Sequence, residues 1–149
     1  MSYVTENTRW LSNEISQDVK DLVARYFALA DSKDSDAGHR MATEVFTESA
    51  TVVGANGTLK GFKDIARSRD NAWTAVTFRR HTISETFAAQ GEASELVLLG
   101  SVYMEVVNGK SLDCPFAIRV KVERHGDQPR FSFVELFANS APIAAILAK

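Results

Sequence analysis

The sequence predicts an α+β domain: a long, curved antiparallel sheet wrapped around helices from the N-terminal part of the chain. Three observations carry that expectation. Before about residue 47, apolar residues recur in steps of three and four, the spacing of one helical face. After Thr77 they alternate, which is the spacing of one strand face. Asn108-Gly109 lies between two such alternating runs and marks a hairpin. A block of helices followed by a block of strands is the α+β order. With 149 residues and no internal repeat, low-complexity tract or linker, 1–149 reads as one domain with its core over about 15–139.

The elements follow in order. Ser12 or Ser16 can cap a first helix whose apolar positions, Ile15, Val19, Leu22, Val23, Tyr26, Phe27 and Ala30, make one continuous stripe. The polar cluster Asp31-Ser32-Lys33-Asp34-Ser35-Asp36 ends it. Asp36 can cap a shorter helix that buries Met41, Ala42, Val45 and Phe46. Ala50-Thr51-Val52-Val53 reads as a strand that turns through Gly54-Ala55-Asn56-Gly57. A third helix starts at Gly61-Phe62-Lys63-Asp64-Ile65-Ala66 and reaches about Trp73. Strand runs are expected near 77–90, 93–107, 110–124 and 130–139.

A two-residue type I′ loop at Asn108-Gly109 would set Tyr103 opposite Cys114 and Glu105 opposite Leu112. Ile118, Val120 and Val122 alternate with Arg119, Lys121 and Glu123, so the even-numbered side of that strand is the apolar one. In this register the same face carries Val97, Leu99, Ser101, Tyr103 and Glu105. The last strand sets Phe131, Phe133, Glu135 and Phe137 on one side, and Ala141–Lys149 is left as a cap.

Composition narrows the function classes. The hydrophobic share of 45% and charged share of 24% are ordinary for a globular chain. A net charge of −2, with both signs mixed along the sequence, argues against nucleic acid or an anionic membrane surface as partner. The residues Arg67, Arg69, Arg79 and Arg80 are accordingly expected on solvated faces. Cys114 is the single cysteine, which excludes an intramolecular disulfide and reads as a buried, inert thiol. The N-terminus lacks a basic and apolar leader, and no run approaches about 18 apolar residues, so a cytoplasmic location without a membrane span is expected. No His, Cys or Asp spacing suggests a metal, and no nucleotide motif or nucleophile motif is present, so no cofactor is expected. His39, near a helix start, and His125, beside Gly126, read as surface residues.

What remains is acid–base chemistry. Asp31 closes the first helical pattern and His81 stands 50 residues later in Phe78-Arg79-Arg80-His81-Thr82-Ile83. A carboxylate that fixes an imidazole's tautomer makes a general acid–base catalyst usable near neutral pH. The bland alternatives are an Asp that bonds the following backbone and a structural histidine. Glu135 shares its predicted face with three phenylalanines, where an ionised carboxylate is disfavoured and a proton donor results; a bulge would turn it to solvent instead. Tyr103 on the inward side would donate to a substrate oxygen or else be core or dimer surface, and Glu105, near the hairpin tip, would join it or lie in solvent. Arg40, next to the buried stripe of the second helix, would reach a pocket anion or else lie in solvent.

The layout of these elements, with Ala30-Asp31-Ser32-Lys33-Asp34 and Arg80-His81-Thr82-Ile83 as local matches, resembles the SnoaL-like branch of the NTF2-like superfamily over roughly 15–139. The resemblance implies a cone with a pocket between sheet and helices. In one relative, scytalone dehydratase, a helix-end carboxylate orients a strand histidine that moves a proton in a cofactor-free dehydration. Asp31 and His81 match those two groups. That enzyme's tyrosine before the carboxylate falls on Ala30, its other pocket tyrosine near Val53 or Gly54, its second histidine near Tyr103 or Glu105, and its pocket asparagine near Ile118. The general-base aspartate of ketosteroid isomerase, another relative, falls near Gly54, and its oxyanion-binding acid near Ile118. Neither of those two reactions is therefore expected.

The resemblance implies a cofactor-independent lyase or isomerase acting on a small apolar biosynthetic intermediate, such as a polyketide, terpenoid or alkaloid. Asp31 and His81 would be its catalytic pair, with Tyr103, Glu135, Glu105 and Arg40 as substrate-binding candidates. The alternative is a non-catalytic binding or adaptor module with its interior filled by Phe131, Phe133, Phe137 and Trp73. A cavity of at least about 300 Å³ bordered by Asp31 and His81 favours the enzyme. Either way the resemblance implies a homodimer through the outer sheet face, covering Val102, Met104 and Val106.

Overall fold

The first helix forms where its apolar stripe is continuous. In the computed structural model, which describes residues 2–89 and 94–148, α1 (Gln17–Ala30) buries Val19, Leu22, Val23, Phe27, Leu29 and Ala30. Ser16 stands at its N-cap, but its hydroxyl bonds the Asp18 carboxylate rather than a backbone N–H. Asp31 terminates the helix, its own N–H still bonded to the Phe27 carbonyl at 3.0 Å. Ahead of α1, the short strand β1 (Arg9–Trp10) pairs in parallel with Glu85 and Thr86. This N-terminal segment extends the core beyond the expected boundary, since Val4 is buried and its carbonyl accepts from the Ile83 N–H at 2.9 Å.

Helix α2 (Ala37–Arg40) runs into a π-helical turn, Met41–Val45, which buries Met41, Ala42 and Val45 as expected. Phe46 then opens β2 (Phe46–Gly54), which turns back as β3 (Gly57–Lys60). Helix α3 (Gly61–Ala66) is shorter than the sequence suggests. Beyond it, Arg67-Ser68-Arg69-Asp70-Asn71 offers no apolar face, and the chain proceeds by successive turns, with Asp70, Ala72 and Thr74 N–H groups each bonding a carbonyl three residues back. Those turns bring Arg69 and Trp73 inward.

Four long strands complete one sheet: β4 (Val76–Ala88), β5 (Glu95–Val106), β6 (Ser111–His125) and β7 (Gln128–Ala138). The strand order is β1-β4-β5-β6-β7-β2-β3, antiparallel except where β1 meets β4 and β2 meets β7. The result is an open, curved sheet over the helices. The expected strand ends at residues 90 and 93 lie outside the described residues. The C-terminal helix α4 (Ala141–Leu147) sets Ile143 and Ile146 against Val76, Met104, Val106 and Cys114.

Two details of register decide which side chains face inward. The loop between β5 and β6 has three residues, Val107-Asn108-Gly109, closed by Val106 and Lys110 with an N–H to carbonyl distance of 2.9 Å. Only Gly109 in it has positive φ (+85°), so a type I′ turn, which needs two such residues, is absent. Tyr103 therefore pairs with Asp113 and Glu105 with Ser111, one residue from the expected register. A one-residue slip exchanges the faces. Leu96, Leu98, Met104 and Val106 point inward and are buried, while Tyr103 and Glu105 point outward. The second detail is a bulge at Ser132: Phe131 pairs with Val122 and Phe133 with Lys121, skipping one residue. Phe131 stays in the core, but Phe133, Glu135 and Phe137 pass to the outer face.

Candidate active site

Asp31 and His81 meet under the edge of the sheet. His81 Nδ1 donates to Asp31 Oδ1 at 2.5 Å, and the side chains are only 15% and 5% exposed. The other carboxylate oxygen, Oδ2, accepts from the His81 backbone N–H at 2.8 Å and from the Tyr3 hydroxyl at 2.7 Å. Topology makes the backbone bond possible. Strand β4 has β5 along one side only; its other edge meets β1 just at Glu85 and Thr86, leaving the His81 N–H for a helix-end acceptor. Three donors converging on one buried carboxylate fix it in place. Burial, then the bond to Asp31, raises the Tyr3 phenol well above its usual range, so it remains a donor.

The His81 ring lies between Phe27 and Phe116, with centroids 5.1 and 5.7 Å away. It borders a cavity of about 260 Å³ walled by Phe27, Val102, Phe116, Ile118, Val134 and Leu136 among others. Since Nδ1 is taken, Nε2 is the ring nitrogen left for a ligand. Asp31 stands behind the histidine and is not a wall residue. A second hollow of about 440 Å³, between α1, β2 and β3, shares Tyr26, Ala30, Val52, Gly54 and Arg69 with the first. The dyad cavity is under the roughly 300 Å³ at which ligand sites begin, and Asp31 does not border it as expected.

The structure brings together Asp31 and His81 and does not bring the other four candidates to them. The Tyr103 hydroxyl bonds Glu105 at 3.1 Å on the outer face, against the expected inward placement. Glu135 lies outside with Arg119, 3.9 Å away, because of the bulge at Ser132. Arg40 is held by Glu44 at 3.0 Å on the helical surface, away from both hollows. Residues that sequence reasoning passed over take their place. Tyr26, read as part of a buried stripe, borders both hollows, and burial pushes its phenol up to about 12. Arg69 and Arg79, expected in solvent, line the dyad cavity, whereas Arg67 and Arg80 are exposed. Tyr3 had no signal beyond being an aromatic in a polar N-terminal stretch.

Ala30, Val53, Gly54 and Ile118 all line the dyad cavity and form apolar wall there. Cys114 is buried in that wall, and burial raises its thiol. Among the described residues no group of three His, Cys, Asp or Glu side chains gathers to hold a metal. No helix there is long and apolar enough to cross a membrane.

No family model matches the sequence, and no curated protein sequence matches it. Solved structures do match its shape. An NTF2-like protein of unknown function from Burkholderia pseudomallei aligns with a TM-score of 0.70 at 15% identity, over 90% of this chain and 100% of that one. A putative scytalone dehydratase from Novosphingobium aromaticivorans aligns with 0.69 at 13% identity, over 83% of each. The LinA-type3 hexachlorocyclohexane dehydrochlorinase of Novosphingobium barchaimii aligns with 0.67 at 17% identity, over 82% and 84%. The chain has the NTF2-like cone fold, as the sequence layout implied.

Proposed function

We propose that this protein is a cofactor-independent lyase or isomerase, in which His81 moves a proton on a small, largely apolar molecule such as a biosynthetic intermediate. The observation that carries the reading is the 2.5 Å Asp31–His81 bond, with His81 at the wall of a largely apolar cavity. Asp31 sets the Nδ1–H tautomer and balances the imidazolium that forms when Nε2 takes a proton. The phenol of Tyr26 is the donor nearest in kind to the one sought at Tyr103, and it would polarise a substrate carbonyl or hydroxyl. Elimination, cyclisation and carbonyl rearrangement all need only these parts. Cone-fold neighbours that include a dehydrochlorinase and a putative dehydratase support a reaction of this kind.

The test is a panel of β-hydroxy ketones and their acids, followed by conjugated-enone absorbance and by deuterium uptake from solvent. His81→Ala should slow any compound the native protein turns over by roughly 10²–10⁴-fold, the usual worth of general acid–base help, while the fold is retained. Full activity in that variant would refute the assignment.

Self-association through the outer sheet face belongs to the same proposal, but with other residues than the expected Val102, Met104 and Val106. Met104 and Val106 lie inside under α4, so the outer-face residues Phe78, Phe87, Val97 and Phe137 are the apolar groups a second copy would cover. Sedimentation of Phe137→Lys against native protein checks this, a monomer being the expected product.

A further inference from the structure

The dyad cavity carries more positive charge than its chemistry accounts for. Arg69 and Arg79 both line it, and neither hollow has an Asp or Glu in its wall. Among the described residues each guanidinium makes a single hydrogen bond, to a neutral carbonyl: Arg69 Nη2 to Ala30 at 2.6 Å, and Arg79 Nη2 to Ala72 at 3.2 Å. The Trp73 indole, 5.0 Å from the Arg79 guanidinium carbon, stacks on it and fixes its plane. Arg69 Nε and Arg79 Nη1 are buried and have no hydrogen-bond partner among the described residues. The acids that act on them are the Tyr26 phenol, on Arg69, and Asp31, on both, and the Asp31 oxygens are already taken by His81 and Tyr3.

Buried polar groups in folded proteins are satisfied as a rule, and buried unpaired charge is costly. Burial, and the charge of Arg69 beside it, lower Arg79 to about 10, which still leaves it cationic at neutral pH. Two held cations lining an otherwise apolar chamber with no carboxylate in its wall form an incomplete site, and the missing component is an anion.

We infer that the ligand of this cavity carries a carboxylate, received by Arg69 and Arg79, on an otherwise apolar body that lies against Phe27, Phe116, Ile118 and Leu136. The inference rests on the proposed function in taking this hollow as the substrate site, and it narrows the substrate class from apolar molecules to apolar acids. Arginine suits the task because its planar fork matches a carboxylate geometrically. The carboxylate would anchor the ligand while His81 Nε2 addresses a neighbouring carbon or hydroxyl, so binding and proton transfer fall to different groups.

The experiment is calorimetric titration of the native protein with trans-cinnamate, its neutral isostere cinnamamide, and acetate. Cinnamate should bind roughly tenfold to hundredfold tighter than the amide, the ordinary worth of charge-assisted hydrogen bonds, and tighter than acetate. In folded Arg69→Gln and Arg79→Gln proteins, checked by circular dichroism, that preference should fall about tenfold; in His81→Ala it should persist. Equal binding of acid and amide, acetate binding as tight as cinnamate, or no binding of either aromatic probe at millimolar concentration would overturn the inference without recourse to any variant. Loss of the acid preference alongside a dead His81→Ala removes this inference alone. A retained preference alongside an active His81→Ala removes the proton-transfer reading alone.

Discussion

The two faces of β5 hold side chains of similar kinds and do different work. Inward lie Leu96, Leu98, Gly100, Val102, Met104 and Val106; outward lie Val97, Leu99, Ser101, Tyr103 and Glu105. Both rows contain large apolar residues, so hydrophobicity along the strand does not say which is inside. Polar groups separate the faces more clearly. Inside, each is held by a different element of the chain: Asp31 by Tyr3 and by β4, Arg69 by the end of α1, Arg79 by the turn at Ala72. Outside, Tyr103 meets Glu105 along its own strand and Arg119 meets Glu95 across the neighbouring one. A fixed, desolvated group suits chemistry; exposed pairs contribute little.

Substitutions on the two faces should differ accordingly. Asp31→Asn should be the most damaging, at about 3 kcal/mol in chemical denaturation, because an amide cannot accept from three converging donors and sets an N–H against one of them. Gly100→Ala follows at about 2 kcal/mol, since its Cβ would meet the Thr82 carbonyl and lie 2.9 Å from Phe116 Cζ. The outward neighbour, Ser101→Ala, should stay within about 0.5 kcal/mol. Tyr3→Phe should cost roughly 1–2 kcal/mol through loss of a partly buried bond to a carboxylate. Because the folded phenol titrates above its unfolded value of 10.0, the stability it adds is complete below that pH and fades as pH rises beyond it. The native protein should therefore lose more stability than Tyr3→Phe between neutral pH and strongly alkaline pH. Smallest of all, Tyr103→Phe and Glu135→Gln should each change stability by less than about 0.5 kcal/mol. If either approached Asp31→Asn, the division into inner and outer faces would be wrong.

Much of the fold was legible because its signals are local and repeated: the stripe from Val19 to Ala30 and the alternation from Ile118 to Glu123 each specify one element. Asp31 and His81 were legible for the same reason, one at a helix end and one inside a strand. Tyr103, Glu105 and Glu135 were misplaced because their orientation hangs on a single residue. A three-residue loop in place of a two-residue one exchanges the faces of β5, and one bulge at Ser132 does so on β7. No periodicity in the sequence reports either event. Arg69 and Arg79 were taken for solvated charges because arginines usually are; only the turns after α3 and the stacking on Trp73 bring them inside. Tyr3 was missed because its partner lies 28 residues away on another element.

The central claim is that Asp31 holds His81 by Nδ1 and leaves Nε2 to the cavity. Nitrogen-15 NMR of the labelled protein tests it directly. The account predicts a protected, far-downfield proton on His81 Nδ1 that vanishes in Asp31→Asn, with Nε2 the nitrogen perturbed by cinnamate. A proton resting on Nε2, or an Nδ1 signal indifferent to Asp31→Asn, would contradict it.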